Sequence, residues 1–339
     1  MNLRKLLIGS DRKIRLLTSP GCWTKWWNMQ EERLSRISKE LTDTLLDSLW
    51  IQWGSLGSFV DTNRRSSSLV DPDALLLMSL TLRQHEKRLW DLLASWAGNG
   101  SKLFSIQRVK NLVKGFPSVT RERLSEFSYR AINEGKDHRW KALSGTNGGP
   151  EARSRILWEA YPRVWHPTAL ILRLRLGFGI GITSDLLAYL LSLNGAWSST
   201  TKMSLAIEYS QYSIRRNADA MTAAGFLEST NKKPFQYRVN IPPWKQLLSI
   251  NGVVPGWKYW NKLFSFLATY LFLLNGERAE GQSPYLLSSE LRDLVGGHED
   301  AFNLNNIDYP KPQVFIGEDY LSGVIDFVPA LADWIRENV

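Results

Sequence analysis

The side chains able to do chemistry in this chain are sparse. The one dense histidine–carboxylate group is His298-Glu299-Asp300. Three successive residues of a helix cannot all face one site, so only a loop could turn them onto a metal or a reacting group, and a solvated loop is the plainer expectation. His85, His138 and His166 stand in no ligand-spaced pair. Asp71 and Asp73 resemble a cation pair at first sight. The same stretch also opens a helix, with Asp71 as N-cap, Pro72 in the first turn and Asp73 at the positive end of the dipole. Gly177-Phe178-Gly179-Ile180-Gly181 alternates glycines like a nucleotide loop, but no strand precedes it and no Walker lysine follows, so a turn between helices is expected. No GxSxG elbow, HExxH pair or complete phosphate loop occurs. Cys22 is the single cysteine, which excludes an intrachain disulfide and a cysteine-built zinc cluster. No catalytic group, metal or cofactor is expected.

What remains is the chemistry of cations aimed at an anion. The formal net charge is +9, which favours a polyanionic partner, although basicity alone also keeps a protein soluble. Arg215 and Arg216 stand side by side near the start of a helical stretch, and their rigid donor forks suit phosphate or the edge of guanine. Gln211 has the donor–acceptor pair that reads adenine, while Tyr212 and Ser213 can reach phosphate. Lys202 on the preceding helix, and Lys232 and Lys233 in an Asn-Lys-Lys-Pro turn, supply charge to a backbone. From Arg173 to Arg238 the basic residues Arg173, Arg175, Lys202, Arg215, Arg216, Lys232, Lys233 and Arg238 outnumber Asp185, Glu208, Asp219 and Glu228. A merely solvated basic face is the alternative reading of each.

The elements that would position these cations follow from caps and periodicity. Thr183 is an N-cap candidate, with Asp185 in the first turn and Ile182 packing on Leu187, for a helix over about 184–193 that buries Leu186, Leu187, Leu190 and Leu191. Ser199 caps a second helix over about 200–209, with Met203, Leu205, Ala206 and Ile207 as its apolar contacts. Ser210 caps a third over about 211–224, with Ile214, Ala218 and Met221 as the inward stripe. Gly225 stops it, and "FLEST" and "FQYRVNI" are short strands around the basic turn.

Two crossing helices, an exposed third and a hairpin are the order of a winged helix-turn-helix. On "TSDLLAYLLSL", "TKMSLAIEYSQYSIRRNADAMTAAGFLES" and "NKKPFQYRV" the chain resembles the winged-helix DNA-binding superfamily, especially its bacterial MarR- and ArsR-like modules, over about 168–241. That resemblance implies a third helix in the major groove, through residues 211–216, and a wing at 231–233 on the backbone or minor groove.

The flanking stretches are longer than a minimal member of that superfamily has. "EERLSRISKELTDTLLDSLWIQW" is helical by the spacing of Leu34, Ile37, Leu41, Leu45 and Leu49. Further helices are expected from Asp71, over 86–96 and after Ser105. "LSGTNGGPEARS" is the clearest linker. Beyond the centre, "WKYWNKLFSFLATYLFLLNG" reads as a buried helix, Ser289 as a helix cap, the stretch to Tyr320 as loop with one short strand, and the end as a helix starting past Pro329. The expected fold is mainly α with a small β-wing, divided into an N-terminal helical scaffold or dimerisation section (1–142), a linker (143–166), the winged helix-turn-helix (167–242) and a C-terminal helical or α+β section (243–339). The apolar run 263–274 is too short to span a bilayer as a helix, so no stable membrane insertion is expected. The N-terminus lacks a sustained apolar core for a signal peptide, and the location expected is cytoplasmic. The expected function is sequence-specific binding of double-stranded DNA as a transcriptional regulator, without catalysis. Two half-sites would be read by a homodimer, and a protein or small-molecule effector is a further class of partner. The alternative is a winged-helix scaffold that binds protein and no DNA.

Overall fold

The computed structural model describes residues 20–58, 63–145, 164–230, 233–275, 283–317 and 319–339, with only the backbone given for 20–28 and 31. Most of the expected linker, together with Lys232 and the side chain of Cys22, therefore lies outside the described residues. The architecture is mainly α-helical, with one small open sheet.

Helix α1 (Pro20–Ser55) is about 54 Å long at 1.5 Å per residue. It turns Leu34, Ile37, Leu41, Leu45 and Leu49 inward at the anticipated spacing. Helix α2 (Pro72–Leu82) is buried along its whole length. Asp71 caps it as expected, accepting from the amides of Asp73 and Ala74. Helix α3 (Lys87–Asn99) starts on a Glu86 cap and α4 (Ile106–Leu112) on Ser105. Helix α5 (Ser118–Asn133) has no counterpart among the expected helices, because arginines and glutamates dilute its apolar pattern. One of those charges is structural. Buried Arg123 donates to the carbonyls of Leu80 and Thr81, which the end of α2 leaves without helical partners. Four large indoles fill this core, and each N–H has a partner: Trp53 on Ser79, Trp96 on Ser58, Trp140 on Asp137 and Trp260 on Ser68.

The chain then crosses to a second core through α6 (Leu170–Phe178), α7 (Ile182–Ser192), strand β1 (Ser198–Ser199), α8 (Thr200–Ile207), α9 (Gln211–Ala223), β2 (Glu228–Ser229), β3 (Gln236–Arg238) and α10 (Ile241–Leu247). The sheet order is β1-β3-β2, antiparallel, with Ser198 opposite Tyr237 and Ser229 opposite Tyr237 on the other side. Gly179 and Gly181 both have positive φ in the tight turn between α6 and α7, so the glycine run is the turn that its sequence suggests. Thr183 is not the cap of α7: the helix already includes Ile182, and the Thr183 hydroxyl bonds Asn217 on α9 instead.

The last section returns to the first core through α11 (Trp260–Asn275), α12 (Pro284–Gly297), α13 (Glu299–Asn303) and α14 (Asp319–Asn338). Hydrophobic packing thus groups the first and last sections of the chain together and leaves the central section with its own core. Three expectations for this section differ from the structure. Ser283, followed by Pro284, caps α12, and Ser289 lies inside it. Helix α14 runs through Pro329 rather than starting after it; the proline sits on the exposed side, where a missing amide costs least. The stretch 298–317 contains a short helix and no strand among the described residues. Ion pairs Arg33–Asp326 (3.6 Å) and Arg336–Glu40 (3.7 Å) advance together along α1 and α14, so these helices run parallel.

A buried ionic cluster joins the two cores. Arg108 on α4 holds Asp71 with both terminal nitrogens (2.6 and 3.0 Å) and reaches Asp73 at 2.7 Å. Arg175 on α6 grips Asp73 (2.6 and 3.1 Å) and Asp185 on α7 (2.8 and 3.0 Å). Two guanidinium groups face three carboxylates, and amides at the start of α2 and from Ser105 help to balance the excess negative charge. Burial pulls the Asp73 carboxyl upward, but Arg175 and Arg108 together outweigh it and hold it below the ordinary value. Asp71 goes the other way, raised by burial and by its neighbour Asp73 against the pull of Arg108. Arg175, one of the basic residues that make the stretch 173–238 net positive, is fully buried.

Removing one partner of such a cluster strands the other charge. Arg175→Met should therefore lower unfolding free energy by about 3–5 kcal/mol in urea titrations, and adding Asp185→Leu should recover part of the loss. A cost below about 1 kcal/mol for Arg175→Met would show that the cluster does not hold the cores together.

Candidate nucleic-acid interface

Helix α9 begins where its sequence says it should. The Ser210 hydroxyl accepts from the amide of Ser213 at 3.2 Å, and at the far end Gly225 takes φ of 77°. Ile214, Ala218 and Met221 point inward. The outer face carries Gln211, Tyr212, Arg215 and Arg216 in its first half and Asp219, Ala220 and Ala223 in its second, all exposed. No other described helix covers it. Tyr212 is 77% exposed at the tip. Ser213 is half-buried and accepts from the Ser210 hydroxyl, so it is engaged within the cap. Lys202 is exposed in the first turn of α8, and Lys233 is exposed in the hairpin turn.

The two arginines have different surroundings. Arg215 lies over the Phe235 ring at 4.5 Å and is 3.6 Å from Asp219, one turn on. Asp219 in turn accepts from the Tyr237 hydroxyl on β3 at 2.5 Å, and burial together with that bond pushes the phenol up to about 12. Arg215 thus helps to bind α9 to the hairpin. Arg216 has no ion pair among the described residues, nor do Lys202 and Lys233. Arg238 pairs across the hairpin with Glu228 at 2.6 Å and covers Trp197.

The turn before α9 is held from three directions, none of which is adjacent in sequence. Glu208 has left-handed φ of 56°, a conformation disfavoured for a residue with a β-carbon. Its carbonyl accepts from Asn111 on α4 at 2.7 Å, and its carboxylate meets Lys262 (2.7 Å) and Asn261 (2.9 Å) at the start of α11. Arg108 donates to the carbonyl of Ile207, and Asn261 to that of Leu205, so the last carbonyls of α8 are satisfied by side chains from the other core. Tyr209 is buried, bonded to Ser105 (2.8 Å) and Asp185 (3.2 Å), and its hydroxyl is pushed well above the usual range, chiefly by burial and then by Asp185. The periodicity of α8 suggests a helix reaching Tyr209; it ends at Ile207 because the clamp takes over there.

His298 bonds the carbonyl of Leu294 and packs on Phe266, while Glu299 and Asp300 face solvent in the first turn of α13. No group of three metal-ligating side chains occurs among the described residues. No described helix is long and apolar enough to cross a membrane. Comparison with protein-family models, curated proteins and solved structures finds no match for this chain.

The contrast between the arginines is measurable without any ligand. Arg215→Ala should lower stability by about 0.5–1 kcal/mol, because the guanidinium no longer bridges Phe235 and Asp219, whereas Arg216→Ala should change it by less than about 0.5 kcal/mol. Thermal unfolding of the two variants gives the answer, and equal losses would contradict the assignment.

Proposed function

We propose that residues 167–242 form a winged helix-turn-helix and that the protein binds double-stranded DNA sequence-specifically, as a non-catalytic transcriptional regulator in the cytoplasm. The observation that carries this reading is the uncovered outer face of α9. It bears Gln211, Tyr212, Arg215 and Arg216, flanked by Lys202 on α8 and Lys233 on the hairpin, while small Ala220 and Ala223 let the second half approach a groove closely. A helix buried against a neighbouring domain would have favoured a protein scaffold; this face has no such cover among the described residues.

Roles divide by chemistry and surroundings. Arg216 has its whole donor fork available for a guanine edge, and Gln211 the pattern for adenine. Arg215, anchored over Phe235, supplies a fixed positive charge between helix and hairpin. Tyr212, Lys202, Lys232 and Lys233 serve phosphates, which set position and salt dependence without reading sequence. Ser213 contributes by keeping the helix start ordered. A homodimer would place two such helices on successive major grooves. A protein partner has its own candidate face, where Phe178 and Phe226 pack edge-on against Trp244 and remain half exposed.

Selection from a random duplex library, followed by titration at several salt concentrations, tests the reading. Arg215→Ala with Arg216→Ala should weaken the selected duplex at least tenfold and relax the preference at one or more base pairs, since a good bidentate pair is worth about 1–3 kcal/mol. Lys232→Ala with Lys233→Ala should weaken all duplexes evenly and flatten the salt slope by about 1 for each phosphate no longer neutralised. Folded protein that enriches no duplex and shows no salt-dependent affinity would remove the DNA reading in favour of the scaffold.

A further inference from the structure

A cleft of about 530 Å³ opens on the side of the first core remote from α9, between the middle of α1, the turn after α2 and the end of α11. A second hollow, of about 170 Å³, shares His85 and Asn275 with it and is walled by the last residues of α2 and α11. The first volume falls in the range of small-molecule sites.

The lining has an unusual charge arrangement. Lys39 and Asp43 are one turn apart on α1, the spacing at which opposite charges normally pair. Neither has an ion pair among the described residues, although Arg33 and Glu40 on the same helix both find partners on α14. The Ser38 and Thr42 hydroxyls donate to carbonyls of their own helix, so they add no free donor. Across the cleft stands His85, its imidazole held below its ordinary value chiefly by burial and then by Arg123, with Asp43 pulling the other way, and therefore neutral near pH 7. Leu34, Leu46 and Leu274 form the apolar part of the wall. An unpaired ammonium and an unpaired carboxylate side by side over an apolar floor are complementary to a zwitterion with an apolar side chain.

The position of the cleft is as informative as its lining. Helix α2 runs about 16 Å and α11 about 24 Å, and they pack against each other. Both end at the cleft, where Thr81, Leu82, Leu271 and Asn275 lie together. Both begin at the clamp: Asp71 and Asp73 at the start of α2 hold Arg108 and Arg175, and Asn261 and Lys262 at the start of α11 hold Glu208. Two parallel rods therefore connect the cleft to the turn that orients α9.

We propose that this cleft binds a free amino acid with an apolar side chain, its carboxylate on Lys39 and its ammonium on Asp43, and that occupancy is transmitted along α2 and α11 to the turn at Glu208. The transmission to duplex affinity rests on the DNA-binding reading; the binding and its effect on the turn do not.

The test uses the full chain with L-leucine and L-phenylalanine as probes and L-glutamate and L-lysine as charge-mismatched controls. Either apolar amino acid at millimolar concentration should raise Tm by at least about 2 °C, with little effect from the controls. Lys39→Met and Asp43→Asn, both at exposed positions, should keep the unliganded Tm and each lose at least tenfold in affinity by titration calorimetry. Bound ligand should also change amide hydrogen exchange at residues 208–214 in the wild type and leave it unchanged in Lys39→Met. No Tm response to any amino acid, or a response retained in both variants, overturns the site. Binding without change at residues 208–214 overturns the coupling. If binding and the exchange change are present while no duplex binds, the inference stands and the DNA reading fails.

Discussion

Arg108 and Arg175, buried with Asp71, Asp73 and Asp185, are the constraint on which the rest of the architecture depends. Taking five ionised groups out of water is expensive, and a well-packed apolar plug of the same volume could serve stability as well or better. An apolar plug, however, would not fix an angle. The forks of Arg108 and Arg175 bond planar carboxylates on α2 and α7 and carbonyls at the ends of other elements, among them Leu103 and Ile207. Each bond is directional, so the central unit can dock on the helical body in one orientation only. The energy lost to desolvation is exchanged for a defined relationship between two hydrophobic cores.

That relationship matters because α9 stands at its end. The three-helix unit makes most of its apolar contacts internally, yet the turn that aims α9 is completed by Asn111, Asn261 and Lys262 from the other core. Glu208 is held in a left-handed conformation by those contacts. The exposed face of α9 is therefore presented by the whole molecule and not by residues 167–242 alone. The flanking sections, far longer than a minimal winged helix-turn-helix requires, thereby acquire a physical role: they hold the proposed recognition helix and offer a lever on it through α2 and α11.

Much of this is legible in the sequence, and the reasons are local. Caps such as Asp71, Ser105, Ser199 and Ser210 act within three residues, and apolar stripes on α1 and α9 repeat at the helical period, so both can be read from a short window. What is not legible depends on residues far apart. Arg175 looks like surface charge because nothing near it reveals that Asp73, a hundred residues earlier, neutralises it. Asp73 looks like a simple dipole partner for the same reason. Helix α5 escapes the reading because charges such as Arg123, which serves the carbonyls of α2, spoil the amphipathic pattern. Among the candidate contact residues, Gln211, Tyr212, Arg216, Lys202 and Lys233 are all exposed. Arg215 and Ser213 are engaged within the unit, through Phe235 and Ser210, in a way that helix periodicity does not disclose.

The central claim is that the ionic cluster and the turn at Glu208 couple the two cores into one unit that orients α9. Native-state amide hydrogen exchange in Arg108→Lys tests it most directly, since lysine keeps the charge but lacks the planar fork. The account predicts exchange at least tenfold faster in Thr200–Ile207 and Gln211–Ala223 together with Ile106–Leu112, at unchanged helix content. Faster exchange confined to Ile106–Leu112, with α8 and α9 as protected as in the wild type, would contradict it.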